Sequence, residues 1–159
     1  MRRTPSTSSV PRQPGEGKRG EQGYLGYLLR QASVALRTRI ERDLSEEDVT
    51  PPQFAVLTMV GAYPGLSNAD LARLSLLTPQ TVSVIVSNLK RSGRLASHPH
   101  AVHGRIQQLE ITKAGQDLLT RCRPHIQRIE KRLAAGLSAN EEQAIRRWLV
   151  RVAMDEPQG

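Results

Sequence analysis

The sequence is poor in most of the residue types that announce a chemical site. It has a single cysteine, Cys122, so no internal disulfide can form and a reducing compartment fits. Tyr24, Tyr27, Phe54, Tyr63 and Trp148 are its only aromatic residues, so a core has to be built from Leu, Val, Ile and Ala. No apolar run is long enough to span a bilayer. The first residues lack the apolar middle segment of a secretory signal. The expected setting is therefore the cytoplasm, with no membrane partner. No glycine-rich loop follows a strand pattern, so no nucleotide site is evident. Ser83 and Ser87 have no His–Asp partners, and with no catalytic set in view neither enzyme activity nor a bound cofactor is expected.

What the chain does have is positive charge, 23 Lys and Arg against 15 Asp and Glu, a net +8. In residues 1–20, Arg2, Arg3, Arg12, Lys18 and Arg19 face only Glu16, and prolines, serines and glycines replace any apolar period. That segment reads as a disordered basic tail. A second basic zone runs from Lys90 to Arg132, with Glu110, Asp117 and Glu130 its only acids. Such a zone suits phosphate contact, although charge alone does not exclude a merely solvated surface.

Between the two zones the apolar spacing is helical. From Tyr24 to about Leu44 it marks one face of an amphipathic helix. Thr50-Pro51-Pro52-Gln53 has the form of a capping box and opens a second helix, with Phe54, Leu57 and Val60 inward. Ser67-Asn68-Ala69-Asp70 opens a short third helix with Leu71 and Leu74 inward. Thr78 caps a fourth, with Pro79 at its first position, and Gly93 stops it. Leu95–His98 and Arg105–Ile111 read as the two strands of a hairpin whose loop ends at Gly104. Thr112 caps a long fifth helix kinked at Pro124. Ser138-Ala139-Asn140-Glu141 opens the last, with Ile145, Trp148, Leu149 and Val152 on its apolar side.

A helix, a turn, a helix and a basic-tipped hairpin make a winged helix-turn-helix, whose second helix fits the DNA major groove and whose wing reaches the minor groove. On the fourth helix Val82, Ile85, Val86 and Leu89 fall on one side. The opposite strip is Gln80, Ser83, Val84, Ser87 and Arg91, flanked by Thr81 and Asn88. A solvated face is ordinarily rich in Glu and Lys; this one is small, polar and charged only at one end. Gln pairs bidentately with adenine, Ser and Thr serve either role, and Val meets a thymine methyl. The helix start at Thr78 offers amides to a phosphate. At the wing tip, His103-Gly104-Arg105, the arginine can enter a narrow groove. Arg91 and Arg94 are placed to contact phosphates. The competing account of the strip is an ordinary surface helix; the wing decides between them.

The segments SNADLARLSLLTPQTVSVIVSNLKRSGRL, HGRIQQLEITKAG and GLSANEE, taken in this order, resemble the multiple-antibiotic-resistance regulator (MarR) family of bacterial transcription factors over roughly residues 22–154. The resemblance implies a mainly α fold with a small β-hairpin wing: a dimerisation helix over 21–48, a winged helix-turn-helix DNA-binding domain over 49–111 and C-terminal dimerisation helices over 112–155. It implies a homodimer on palindromic double-stranded promoter DNA, most simply a repressor released by a small-molecule effector. It further implies a pocket between the dimer helices and the winged domain, for which Tyr24, Tyr27, Leu28, Arg39 and Phe54 are candidates, although core or dimer packing is the simpler role for each. Family wings usually carry Asp-x-Arg. Here His103 stands in the aspartate's place and Arg105 in the arginine's, so the usual carboxylate brace is absent.

The end helices support a dimer on physical grounds too, because their apolar faces exceed what a small winged core can cover. Other functions have slighter support. His98, His100 and His103 resemble a metal site in their spacing, but no Cys or carboxylate nearby in sequence completes the set, so no bound metal is expected. Cys122 lies on an apolar helix face, where a buried structural thiol is the simple account. Peroxide-sensing relatives carry their cysteine near the first helix, and this chain has none there. A winged-helix module for protein partners would call for a more aromatic strip than Gln80 to Arg91.

Overall fold

Helix caps and a short sheet organise the molecule. The structure, a computed structural model, describes residues 16, 19–102 and 104–154. The tail expected over 1–20 lies almost wholly outside the described residues, as does His103. The chain divides into two units, residues 1–42 and 43–159, the second taking in the winged segment and both C-terminal helices.

The described residues of the first unit are mostly helix α1 (Leu25–Asp43), none of whose residues is buried. In the second unit a 3₁₀ turn (Ser45–Glu47) leads to α2 (Pro51–Ala62), α3 (Asn68–Ser75), α4 (Pro79–Arg91), β1 (Leu95–Pro99), β2 (Gln107–Ile111), α5 (Lys113–Ala134) and α6 (Ala139–Met154). Three starts are reciprocal boxes. The Gln53 amide donates to the Thr50 hydroxyl at 3.4 Å while the Thr50 amide donates to the Gln53 side chain at 3.1 Å. Ser67 with Asp70, and Ser138 with Glu141, repeat the exchange. Each box satisfies two amides that a helix start leaves unpaired and is worth about 1 kcal/mol. The Ser67 hydroxyl and amide hold the Asp70 carboxyl below the usual carboxylate range. Because that pKa is depressed on folding, its share of the cap is complete above the ordinary carboxylate value and is lost as pH falls through the lower folded one.

The core lies where α2, α3, α4 and α5 meet the sheet. Leu57 and Val60 of α2, Leu71 of α3, Val82 and Leu89 of α4, Leu109 of β2 and Leu118 and Cys122 of α5 are all essentially inaccessible. Two inward assignments change. Leu74 is 49% exposed, because the buried strip of the two-turn α3 runs through Leu71 and Ala72 and turns Leu74 to the flank. On α2, Val56 is buried and Phe54 only half-buried. α5 continues through Pro124 to Ala134.

The hairpin is antiparallel, pairing Leu95 with Ile111 and Pro99 with Gln107. The return strand is shorter than the sequence led us to expect: Arg105 and Ile106 belong to the tip. Pro99 has no amide to extend the ladder, and one further bond, His100 N–H to the Ile106 carbonyl at 2.8 Å, closes the loop. On its other edge β2 is tied to the α2–α3 connection, with the Leu109 amide donating to Leu66 at 2.9 Å and the Gly65 amide donating to Leu109 at 3.1 Å.

The turn between α3 and α4 carries a strained residue. Leu76 sits at φ 54°, ψ 33°, the left-handed region, with its side chain 74% exposed. A Cβ there costs roughly 1–2 kcal/mol and burial returns little. Part of that is offset by the extra freedom a glycine has when unfolded. Leu76→Gly is therefore expected to raise the unfolding free energy by about 0.5–1 kcal/mol, measured as a shift of the urea midpoint at constant slope. A lower midpoint would mean that the leucine side chain does pack.

Candidate nucleic-acid interface

α4 is positioned from both ends. At its start the Thr78 hydroxyl accepts the Thr81 amide at 3.2 Å and pairs with the Thr81 hydroxyl at 2.8 Å, and Pro79 needs no amide partner. At its end the Ser92 amide donates to the Asn88 carbonyl, Gly93 takes φ 69°, and the Arg94 amide returns to the Leu89 carbonyl at 2.9 Å. Val82, Ile85, Val86 and Leu89 are buried, which fixes the rotation of the helix. Gln80, Thr81, Ser83, Val84, Ser87 and Arg91 are all exposed, and Asn88 is half-buried. The strip leaves the protein opposite its anchored side, in the sense the helical period demands.

The wing is fastened to both neighbours. The Lys90 ammonium at the end of α4 donates to the Ser97 hydroxyl on β1, so this cation serves as a brace. The Thr112 hydroxyl donates to the Gly93 carbonyl at 2.6 Å and its amide donates to the Arg94 carbonyl at 3.2 Å. Gly115, one turn into α5, lies against that same Arg94 carbonyl. Gly104 and Arg105 are exposed at the tip. His103, the third member of the tip, lies outside the described residues.

Arg94 has a partner within the protein. Its guanidinium donates to the Asp48 carbonyl at 2.8 Å and lies 3.4 Å from the Asp48 carboxylate, with only 18% of the side chain exposed. It ties the start of the wing to the turn before α2. A second tie runs from the same turn to α5: Glu47 receives Arg121 at 2.8 Å and lies 3.9 Å from His125. The hydrogen bond to Glu47 raises the Arg121 pKa.

Cys122 is fully buried beside this cluster. Burial, reinforced by the Glu47 charge, pushes its thiol pKa up and away from the reactive thiolate. His98 lies 3.8 Å from Glu110, and His100 accepts the Val102 amide through Nδ1. Among the described residues no three His, Cys, Asp or Glu side chains gather as a metal site. No helix among the described residues is long and apolar enough to cross a membrane.

Tyr24 and Tyr27 line a hollow in the first unit with Arg19, Gln22 and Gly23, but Leu28 and Arg39 do not line it. Phe54 is half-buried on α2, in the second unit. Sequence reasoning missed a different groove, of about 420 Å³, where Thr58 and Gly61 of α2 face Ile111 and the Gln116, Thr120 and Arg123 side of α5. The polar spacing at 116, 120 and 123 was visible in the sequence; its apposition to α2 was not.

Comparisons with known proteins agree with this layout. A model of the MarR family matches residues 47–106. The HTH-type transcriptional repressor Rv2887 of Mycobacterium tuberculosis is 31% identical over 131 residues, spanning 82% of this chain and 94% of that protein. A crystal structure of Rv2887 in complex with salicylic acid matches at TM-score 0.64 and 30% identity, covering 83% of this chain and 98% of that one. The PcaV transcriptional regulator of Streptomyces coelicolor, in complex with its natural ligand, matches at TM-score 0.76 and 30% identity, covering 84% and 94%.

Proposed function

The chain belongs to the MarR family, and from that membership we propose that it is a cytoplasmic, sequence-specific DNA-binding repressor that acts as a homodimer on a palindromic promoter site. The observation that carries this function is the orientation of α4. Its four large apolar residues are anchored in the core, and an uncharged strip of short polar side chains is left outward beside a basic end. Such a surface is poor for protein partners and well suited to base edges.

In this account Gln80, Ser83, Val84 and Ser87 read bases, with Thr81 and Asn88 at the margin. Thr78 and the free amides at the helix start hold a phosphate, and Arg91 and Arg105 supply affinity. His103 neighbours Arg105 in the sequence, and a part in wing contact is kept for it. Arg94 acts indirectly, by holding the wing against the Asp48 turn. A dimer repeats the recognition helix about one DNA turn away, roughly 34–36 Å centre to centre.

A small-molecule effector fits the same scheme. Relatives are known in complex with salicylic acid and with a natural ligand. In this chain the groove between α2 and α5 offers Arg123 to a carboxylate, with Gly61 and Ile111 beside it. Occupancy there would wedge α5 from the winged segment and change the spacing of the two heads, on which simultaneous seating depends.

Selection of bound fragments from random duplex DNA tests the function. A two-fold palindrome with half-site centres one helical turn apart is expected; recovery of no enriched motif would overturn it. On that operator, Arg105→Ala is expected to weaken all duplexes alike. A dimer carries two such arginines, so the slope of log affinity against log salt should fall by about two. Gln80→Ala should instead relax the preference at one position of each half-site by about 1–3 kcal/mol. Titrations by fluorescence anisotropy across a salt series separate the two outcomes, and equal slopes for Arg105→Ala and the native protein would remove the wing from the interface.

A further inference from the structure

Val84 is costly for the fold and gains little from packing. It lies mid-helix, where a β-branched residue is less favourable than alanine. It is also 60% exposed, so its methyls face water. The other branched apolar residues of α4, Val82, Ile85, Val86 and Leu89, are all buried. On the helical wheel Val84 falls almost opposite that anchored group. It continues the line from Gln80 one turn before it to Ser87 and Arg91 after it. Its exposed neighbours Gln80, Ser83 and Ser87 are short or uncharged. They give too little apolar area around a single valine to make a protein interface. No carboxylate lies on α4, and its charged residues are Lys90 and Arg91 at the C-terminal end. The surface that carries Val84 thus has the sign required to approach a polyphosphate.

We infer that Val84 is a specificity-determining residue that reads the 5-methyl group of a thymine at one fixed position in each half-site. The inference rests on the assignment of α4 to the major groove. Valine has no donor or acceptor, so it cannot join the hydrogen-bond code of the base edges. The one apolar group those edges present in unmodified DNA is the thymine methyl. The short side chains of Ser83 and Ser87 on either side let the helix come close enough for that contact. The site therefore discriminates a T·A pair from the other three at this position by a methyl contact, while Gln80 acts through hydrogen bonds.

The test uses the full-length protein and its selected operator, with each thymine replaced in turn by deoxyuridine, which removes the methyl and leaves the pairing intact. The native protein is expected to lose about fourfold in affinity at one symmetric position per half-site, the size of one buried methyl(ene) group. Val84→Ala should bind the thymine and uracil duplexes equally, and Val84→Thr, which keeps one methyl, should retain part of the difference. Because the residue is exposed, Val84→Thr should melt as the native protein does and Val84→Ala at or slightly above it, by the helix preference of alanine.

A flat uracil scan on a tightly bound operator overturns the methyl inference and leaves the DNA-binding function standing. The same holds for a Val84→Ala protein that keeps the full thymine preference, and for an operator with no thymine shared by both half-sites. Failure to select any operator overturns the inference together with the function beneath it.

Discussion

Gly115→Ala is expected to destabilise the protein by about 2 kcal/mol, against the direction that helix propensity alone predicts. In the interior of a helix, alanine is better than glycine by up to about 1 kcal/mol. Here, however, the added Cβ would stand 2.3 Å from the Arg94 carbonyl oxygen and 2.7 Å from Cγ1 of Ile111. The first obstacle is backbone and cannot swing aside. That same carbonyl accepts the Thr112 amide, and Thr112 in turn caps α5 through the Gly115 amide at 3.1 Å and holds the Gly93 carbonyl. Moving any of these breaks a set of bonds joining the end of α4, the start of β1 and the start of α5. Overpacking of this kind costs typically 1–3 kcal/mol, and a rigid obstacle places it at the upper end. The clash therefore exceeds the propensity gain. Urea unfolding gives the stability, and operator titration gives a second expected consequence, weaker binding from a displaced wing. A midpoint equal to or above the native one would show that α5 and the wing do not approach as closely as described.

The same junction shows where the sequence could be read and where it could not. The glycine three residues after Thr112 was visible as the end of the segment HGRIQQLEITKAG, but its physical reason is an approach to Arg94, which lies between α4 and β1. Local signals carried most of the helical architecture. Thr50, Ser67, Thr78, Thr112 and Ser138 each begin a helix through their own hydroxyl, which needs only neighbours three residues away. The buried side of α4 followed from periodicity because Val82, Ile85, Val86 and Leu89 allow one rotation only. What the sequence did not show depends on partners distant along the chain. The bond from Arg94 to Asp48, 46 residues away, had no local sign. Leu74 looked inward until the width of the strip α3 buries was known. The groove between α2 and α5 has no local signature, because neither helix forms it alone.

The apolar faces of the end helices were legible as faces, and what covers them decides the largest effect we expect. α6 buries none of its residues, and Ile145, Leu149 and Val152, spaced i, i+4 and i+7, are each 42% exposed. A sixteen-residue helix that leaves such a strip in water invites association. A second copy of the chain is the occupant that a two-fold operator requires. Leu149→Asp places a charge in the middle of that seam, where pairing would desolvate two carboxylates related by the two-fold axis. It is expected to yield a monomer by light scattering and to lower affinity for the full palindrome a hundredfold or more, the order of the avidity gained by linking two heads. Binding to a single half-site should barely change, because Leu57, Leu89 and Leu118, which hold α4 and the wing, are buried in the core of the second unit whereas Leu149 is exposed. This half-site measurement separates loss of dimer from loss of fold. A Leu149→Asp protein that remained a dimer with native operator affinity would place the seam elsewhere and leave the exposed strip of α6 without a role in DNA binding.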